Sequence, residues 1–114
     1  MRDAIVIEAV EDSVFKGIEV RIVRGFLDEV VLKELRNKPL SGYDVISFVY
    51  KKFGILLSSG TVYSRIYALE RKGLIKANLN HGRRDYTLTE KGKETIEAIM
   101  NAQDKINTLL NTIF

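Results

Sequence analysis

Apolar positions recur at helical spacing along most of this chain. Phe26, Leu27, Val30, Val31 and Leu35 fall three or four residues apart, which predicts a helix that Pro39 ends near residues 36–38. Ser41-Gly42-Tyr43-Asp44 reads as a capping box, in which the Ser41 hydroxyl accepts from the Asp44 amide and the carboxylate reaches back. A second helix follows to about Phe53, with Val45, Ile46, Val49 and Phe53 inward, and Gly54 suits the left-handed residue that ends it. Ser58-Ser59 opens a third helix, Gly60 to Lys72, whose stripe is Val62, Ile66 and Leu69 and whose stop is Gly73. Two strands, Leu74–Leu79 and Arg84–Leu88, then flank the turn Asn80-His81-Gly82-Arg83. Thr89 caps a long final helix, with Glu90 in its first turn where the helix dipole favours an acid.

The first 24 residues carry a mixed signal. Ala4 to Val10 is rich in Ile and Val, and Val20 and Ile22 alternate with charged neighbours, which favours strands with Asp12-Ser13 and Lys16-Gly17 around a turn. A helix over residues 3–15 is the alternative. The domain reading is an N-terminal extension (1–24), a winged helix (25–89) and a dimerisation helix (90–114). The element order of helix, helix, helix, hairpin, helix is that of a winged helix-turn-helix, mainly α with a small β component (α+β). In that fold the third helix enters the DNA major groove and the hairpin, or wing, touches an adjacent groove.

Composition narrows the chemistry. The 114 residues include no cysteine and one histidine, His81, which excludes disulfides, thiolate metal sites and a cysteine nucleophile. No apolar run approaches the ~20 residues of a membrane span, and the acidic start is unlike a secretory signal, so a cytoplasmic protein is expected. The charge is polarised: residues 1–30 hold four basic and seven acidic side chains, residues 31–100 thirteen and seven. A basic middle suits a polyanionic partner.

From Phe26 to Lys93 the sequence resembles the PadR family of transcriptional regulators. The resemblance rests on Leu40-Ser41-Gly42-Tyr43-Asp44, Gly60-Thr61-Val62-Tyr63, Leu69-Glu70-Arg71-Lys72-Gly73-Leu74-Ile75 and Tyr86-Thr87-Leu88-Thr89-Glu90-Lys91-Gly92, in the family's order and spacing. It implies a dimeric DNA-binding repressor whose C-terminal helix forms the dimer interface. Ser59 and Ser64 stand where the family often has proline, Arg65 where it has a small residue, and Asp85 where a second aromatic precedes Tyr86; the wing is about one residue short. Those departures lie on the reading surface, so no operator sequence carries over.

On the third helix the face opposite the apolar stripe is expected to carry Thr61, Ser64, Arg65, Ala68 and Lys72, small, hydroxylated and basic. Ser59, Gly60 and Thr61 keep its N-terminus slim enough to approach a phosphate. Arg65 suits guanine O6 and N7. Tyr63 sits at the edge of the stripe and can offer its hydroxyl to a phosphate; half-buried core positions with solvated tips are the alternative for Tyr63 and Tyr67, and Tyr67 is the weaker candidate for a DNA contact. Arg83 and Arg84 put two guanidinium groups beside the wing's turn, to reach phosphates or a narrow minor groove. Lys51-Lys52 are either backbone contacts or a solvated face.

In the final helix Ile96, Ile99, Gln103, Ile106, Leu110 and Ile113 are spaced as an a/d seam with one polar position. That seam is expected to form a homodimer, with packing against residues 1–24 as the alternative. No catalytic constellation is legible, so no enzyme and no cofactor are expected. The competing reading is a winged helix used to bind protein, since the fold alone does not imply DNA binding. The third helix separates the two: a protein-binding face needs exposed apolar anchors, and this one offers Thr, Ser, Arg and Lys. An effector ligand is not legible.

Overall fold

The architecture was obtained as a computed structural model, which describes residues 2–114. Its elements are α1 (Arg2–Gly25), α2 (Leu27–Leu35), α3 (Gly42–Phe53), α4 (Ser59–Arg71), β1 (Ile75–Asn80), β2 (Arg83–Leu88), α5 (Glu90–Asn101) and α6 (Gln103–Ile113).

The caps form as their residue types dictate. Ser41 Oγ accepts from the Asp44 amide at 3.0 Å and the Asp44 carboxylate from the Ser41 amide at 2.9 Å. Gly54 closes α3 at φ 68°, a left-handed value that costs glycine nothing. Ser58 caps α4 and Thr89 caps α5, through Thr61 and Gly92 respectively. The wing turns on His81 (φ 52°) and Gly82 (φ 76°), the paired positive φ of a two-residue hairpin.

The apolar stripes converge on one core. Val31, Leu32 and Leu35 of α2 meet Val45 and Val49 of α3, Val62, Ile66 and Leu69 of α4, Ile75 of β1 and Tyr86 of β2. β1 and β2 pair antiparallel from Ile75↔Leu88 to Asn80↔Arg83. Leu40 adds a bridge on the other side of β2, its backbone exchanging both hydrogen bonds with Tyr86 (3.2 and 2.8 Å). The wing root is thereby tied to the residue that leads into α3.

Two expectations are corrected. The favoured strands of residues 1–24 are instead one helix of 24 residues. A strand needs a partner for its backbone groups, whereas a helix satisfies them locally. The apolar residues that reach the body are Val20 and Val23, three apart, beside a Lys16–Glu19 ion pair of 3.1 Å; neither contact depends on the two-residue alternation. Lys16 also donates to the Phe53 carbonyl at 3.1 Å, binding α1 to the end of α3. Helical hydrogen bonding runs on through Phe26, so α1 and α2 meet at a bend.

The single final helix is instead two, α5 and α6, separated at Ala102 (φ −87°, ψ 2°). The expected seam is divided accordingly. Ile96 is 2% exposed and belongs to the chain's own core, and Ile99 packs partly against the same core. Gln103, Ile106 and Ile113 are exposed and Leu110 is half-buried. Intrachain packing thus takes up the N-terminal end of the seam, where α5 packs against α2 and β2.

Candidate nucleic-acid interface

The first turn of α4 is slim and polar. Ser58 Oγ accepts from the Thr61 amide at 3.1 Å and donates to Thr61 Oγ1 at 2.9 Å, so the Thr61 hydroxyl belongs to the cap. A side chain at Gly60 would meet nothing within 4 Å, so the chain's own packing does not call for glycine there.

With Val62, Ile66 and Leu69 buried, the outward ridge is Gly60, Ser64, Tyr67 and Arg71, all exposed. This differs from the expected face in three ways. Arg65 lies only about 60–70° around the helix from the middle of the buried stripe. Its Nε stands 3.0 Å from Asp28 Oδ1 on α2, so it flanks the ridge instead of crowning it. Tyr63 is half-buried, with its ring against Gly42 of α3, while Tyr67, left out of the expected face, is 44% exposed and the more accessible of the two; their rings are 5.9 Å apart. Arg71, outside the expected face, is exposed on the ridge. The seven-residue spacing from Ser64, on the side opposite Val62, was the signal for it. Ser59 and Lys72 mark the ends of the ridge; Ala68 is half-buried at its side.

The two wing arginines are placed by carboxylates. Arg83 is ion-paired with Asp44 of α3 and, at 2.7 Å, with Asp85. Burial works against the Asp44 carboxylate, but the Ser41 amide and the Arg83 guanidinium outweigh it and hold its pKa below the usual value. Arg84 lies 3.7 Å from Glu70 of α4, its guanidinium over the Tyr86 ring at 5.8 Å. The wing therefore stands beside both helices of the helix-turn-helix. Tyr86 is 2% exposed, and burial raises the pKa of its hydroxyl.

Each of the three arginines expected to meet DNA thus carries an acid partner. By contrast Arg71, Lys72, Lys51 and Lys52 make no ion pair among the described residues.

Comparison with known proteins places this arrangement. A PadR family transcription regulator from Clostridium difficile is 26% identical, covering 77% of this chain and 97% of that chain, with a TM-score of 0.68. A PadR family regulator from Eggerthella lenta shares the fold at a TM-score of 0.73 and 22% identity, over 92% of this chain and 96% of its own. PadR of Bacillus subtilis, solved in complex with operator DNA, is 26% identical over 65% of this chain and 46% of that chain, with a TM-score of 0.59. No curated protein matches at a significant level. Among the described residues no helix is long and apolar enough to cross a membrane. The model of the PadR-like transcriptional regulator family matches residues 31–98, which span α2 to α5 and include the ridge and the wing, and the chain belongs to that family.

Proposed function

We propose that this protein is a homodimeric, cytoplasmic repressor that reads an inverted repeat in duplex DNA. In this reading α4 enters the major groove and the wing lies on the flanking backbone. The observation that carries it is the Gly60-Ser64-Tyr67-Arg71 ridge, which is slim, hydrogen-bonding and cationic and has no carboxylate along it. A protein-docking use of the same face would call for several apolar anchors, and Tyr67 is the single large ring on the ridge. The operator complex of the Bacillus subtilis relative supports the DNA reading.

Selection of genomic fragments by the purified protein, followed by sequencing, tests it. Recovered fragments should share a two-fold symmetric motif with half-sites about one helical turn apart. Ser64→Glu should abolish the enrichment. The carboxylate falls on an exposed position, so the fold stays intact, but like charges facing each other across an interface cost several kcal/mol. A Ser64→Glu protein that binds operator like wild type would take α4 out of the groove.

Asp85 offers a test of opposite sign. Asp85→Asn removes one of the two carboxylates on Arg83 and leaves Asp44. Affinity for every duplex should rise, and the slope of log K against log salt should steepen by up to about 0.9, one phosphate contact. An unchanged slope in a salt titration would mean that Arg83 stays on its acids in the complex.

A further inference from the structure

Lys38 in the α2–α3 loop, Lys51 and Lys52 in the last turn of α3, and Arg83 of the wing line one cleft of about 530 Å³. Three separate elements supply these cations. The acid in the lining, Asp44, is already ion-paired with Arg83 and accepts from the Ser41 amide. Lys38, Lys51 and Lys52 make no ion pair among the described residues. The negative end of the α3 dipole suits two lysines at its C-terminus, but it accounts neither for Lys38 arriving from the preceding loop nor for Arg83. Lys52 also lies 5.4 Å over the Phe48 ring, which fixes where its ammonium stands. Ammonium groups are compact point charges with rotatable donors and none of the planar fork of a guanidinium, so they meet phosphate charge without demanding one geometry.

The geometry points to this cleft as a phosphate-binding site that holds the DNA backbone beside the wing. The assignment rests on the DNA reading above and extends it to a second strip of surface away from the α4 ridge. Each lysine that meets a phosphate contributes about 0.9 to the salt slope, and none of the three contributes to operator choice.

The test uses the full-length protein and the double substitution Lys51→Gln/Lys52→Gln, alongside Lys38→Gln alone. All three side chains are exposed, and a thermal melt confirms that each variant is folded. The double variant should bind operator and random duplex equally more weakly, by on the order of tenfold per lysine at 0.1 M salt, with a slope shallower by about 1 to 2. Lys38→Gln should shift the slope the same way by up to about 1. A double variant with the wild-type slope overturns the cleft while the α4 reading stands, because Ser64→Glu reports on that separately. A wild-type protein that binds no duplex overturns both.

A second arm titrates inorganic phosphate against chloride at constant ionic strength. Equal displacement of DNA by the two anions supports the backbone assignment. Saturable phosphate binding that the double substitution abolishes while DNA stays bound with unchanged affinity reassigns the cleft to a free phosphorylated ligand and overturns the assignment.

Discussion

Ile106→Glu is expected to turn a dimer into a monomer and to lower operator affinity by about 10²- to 10⁴-fold. Ile106 is 39% exposed and lies in an apolar groove of about 210 Å³ with Phe26, Val30, Ile99 and Met100, at the point where the chain's own core stops covering the seam. In the proposed homodimer the interface is isologous, so one substitution places two carboxylates in apolar surroundings near the two-fold axis. Two linked half-sites bind with an effective concentration that a single one lacks, which sets the size of the loss. Ile106 itself lies outside the core that holds Val62, Ile66 and Leu69, and helix content should hardly change. Sedimentation and a gel-shift titration on the same preparation check both halves. A variant that stays dimeric would move the interface off this helix pair. Phe15, Val10 and Ile7 on the exposed part of α1 would then be the surface to charge next.

Gly92→Ala is expected to destabilise the fold by roughly 1–3 kcal/mol or more, the range for overpacking a core. Within a helix this substitution ordinarily helps by about 0.5–1 kcal/mol, because glycine loses more backbone freedom on folding. The sign reverses here because α5 passes so close to the residue before β1 that a Cβ on Gly92 would overlap the Leu74 carbonyl oxygen. That oxygen accepts from the Thr89 amide at 3.1 Å, so it is pinned and cannot yield freely. At about 4–8 °C per kcal/mol for a domain of this size, the melting temperature should fall by ~5–20 °C. Gly17→Ala is the internal control. It lies mid-way along α1 with nothing within 4 Å, and it should stabilise slightly. Equal effects from the two substitutions in a thermal melt would show that the contact with Leu74 is not what demands glycine.

Gly92 also gives a physical reason for one residue of the Thr89-Glu90-Lys91-Gly92 motif on which the family resemblance rested. The motif marks where a capped helix must run past a carbonyl, and Thr89 both caps α5 and donates to the Gly73 carbonyl at 2.5 Å. Reading this in the sequence requires knowing that Leu74 is near, which no local pattern states.

What the amino-acid sequence by itself determined is the local grammar of residues 26–101. The capping box at Ser41 and Asp44, the left-handed Gly54, the Ser58 and Thr89 caps and the His81-Gly82 turn depend on residues within a few positions of each other, and they form as the residue types require. The stripes Val45/Val49 and Val62/Ile66/Leu69 were legible for the same reason, because helical period alone selects the buried face. Tertiary structure decided what depends on a distant partner. Val20 and Val23 join a helix because the body offers them a surface three residues apart, where an isolated alternation has no strand to pair with. Ala102 is a good helix former and so gives no local signal for the bend that parts α5 from α6. Arg65, Arg83 and Arg84 were legible as cations, but Asp28, Asp44, Asp85 and Glu70 decide how much of their charge is left for DNA. Apart from Asp85, these acids lie 14 to 39 residues from the arginines they hold. Folding alone brings them within ion-pair distance, which is why charge was readable along the chain and its neutralisation was not.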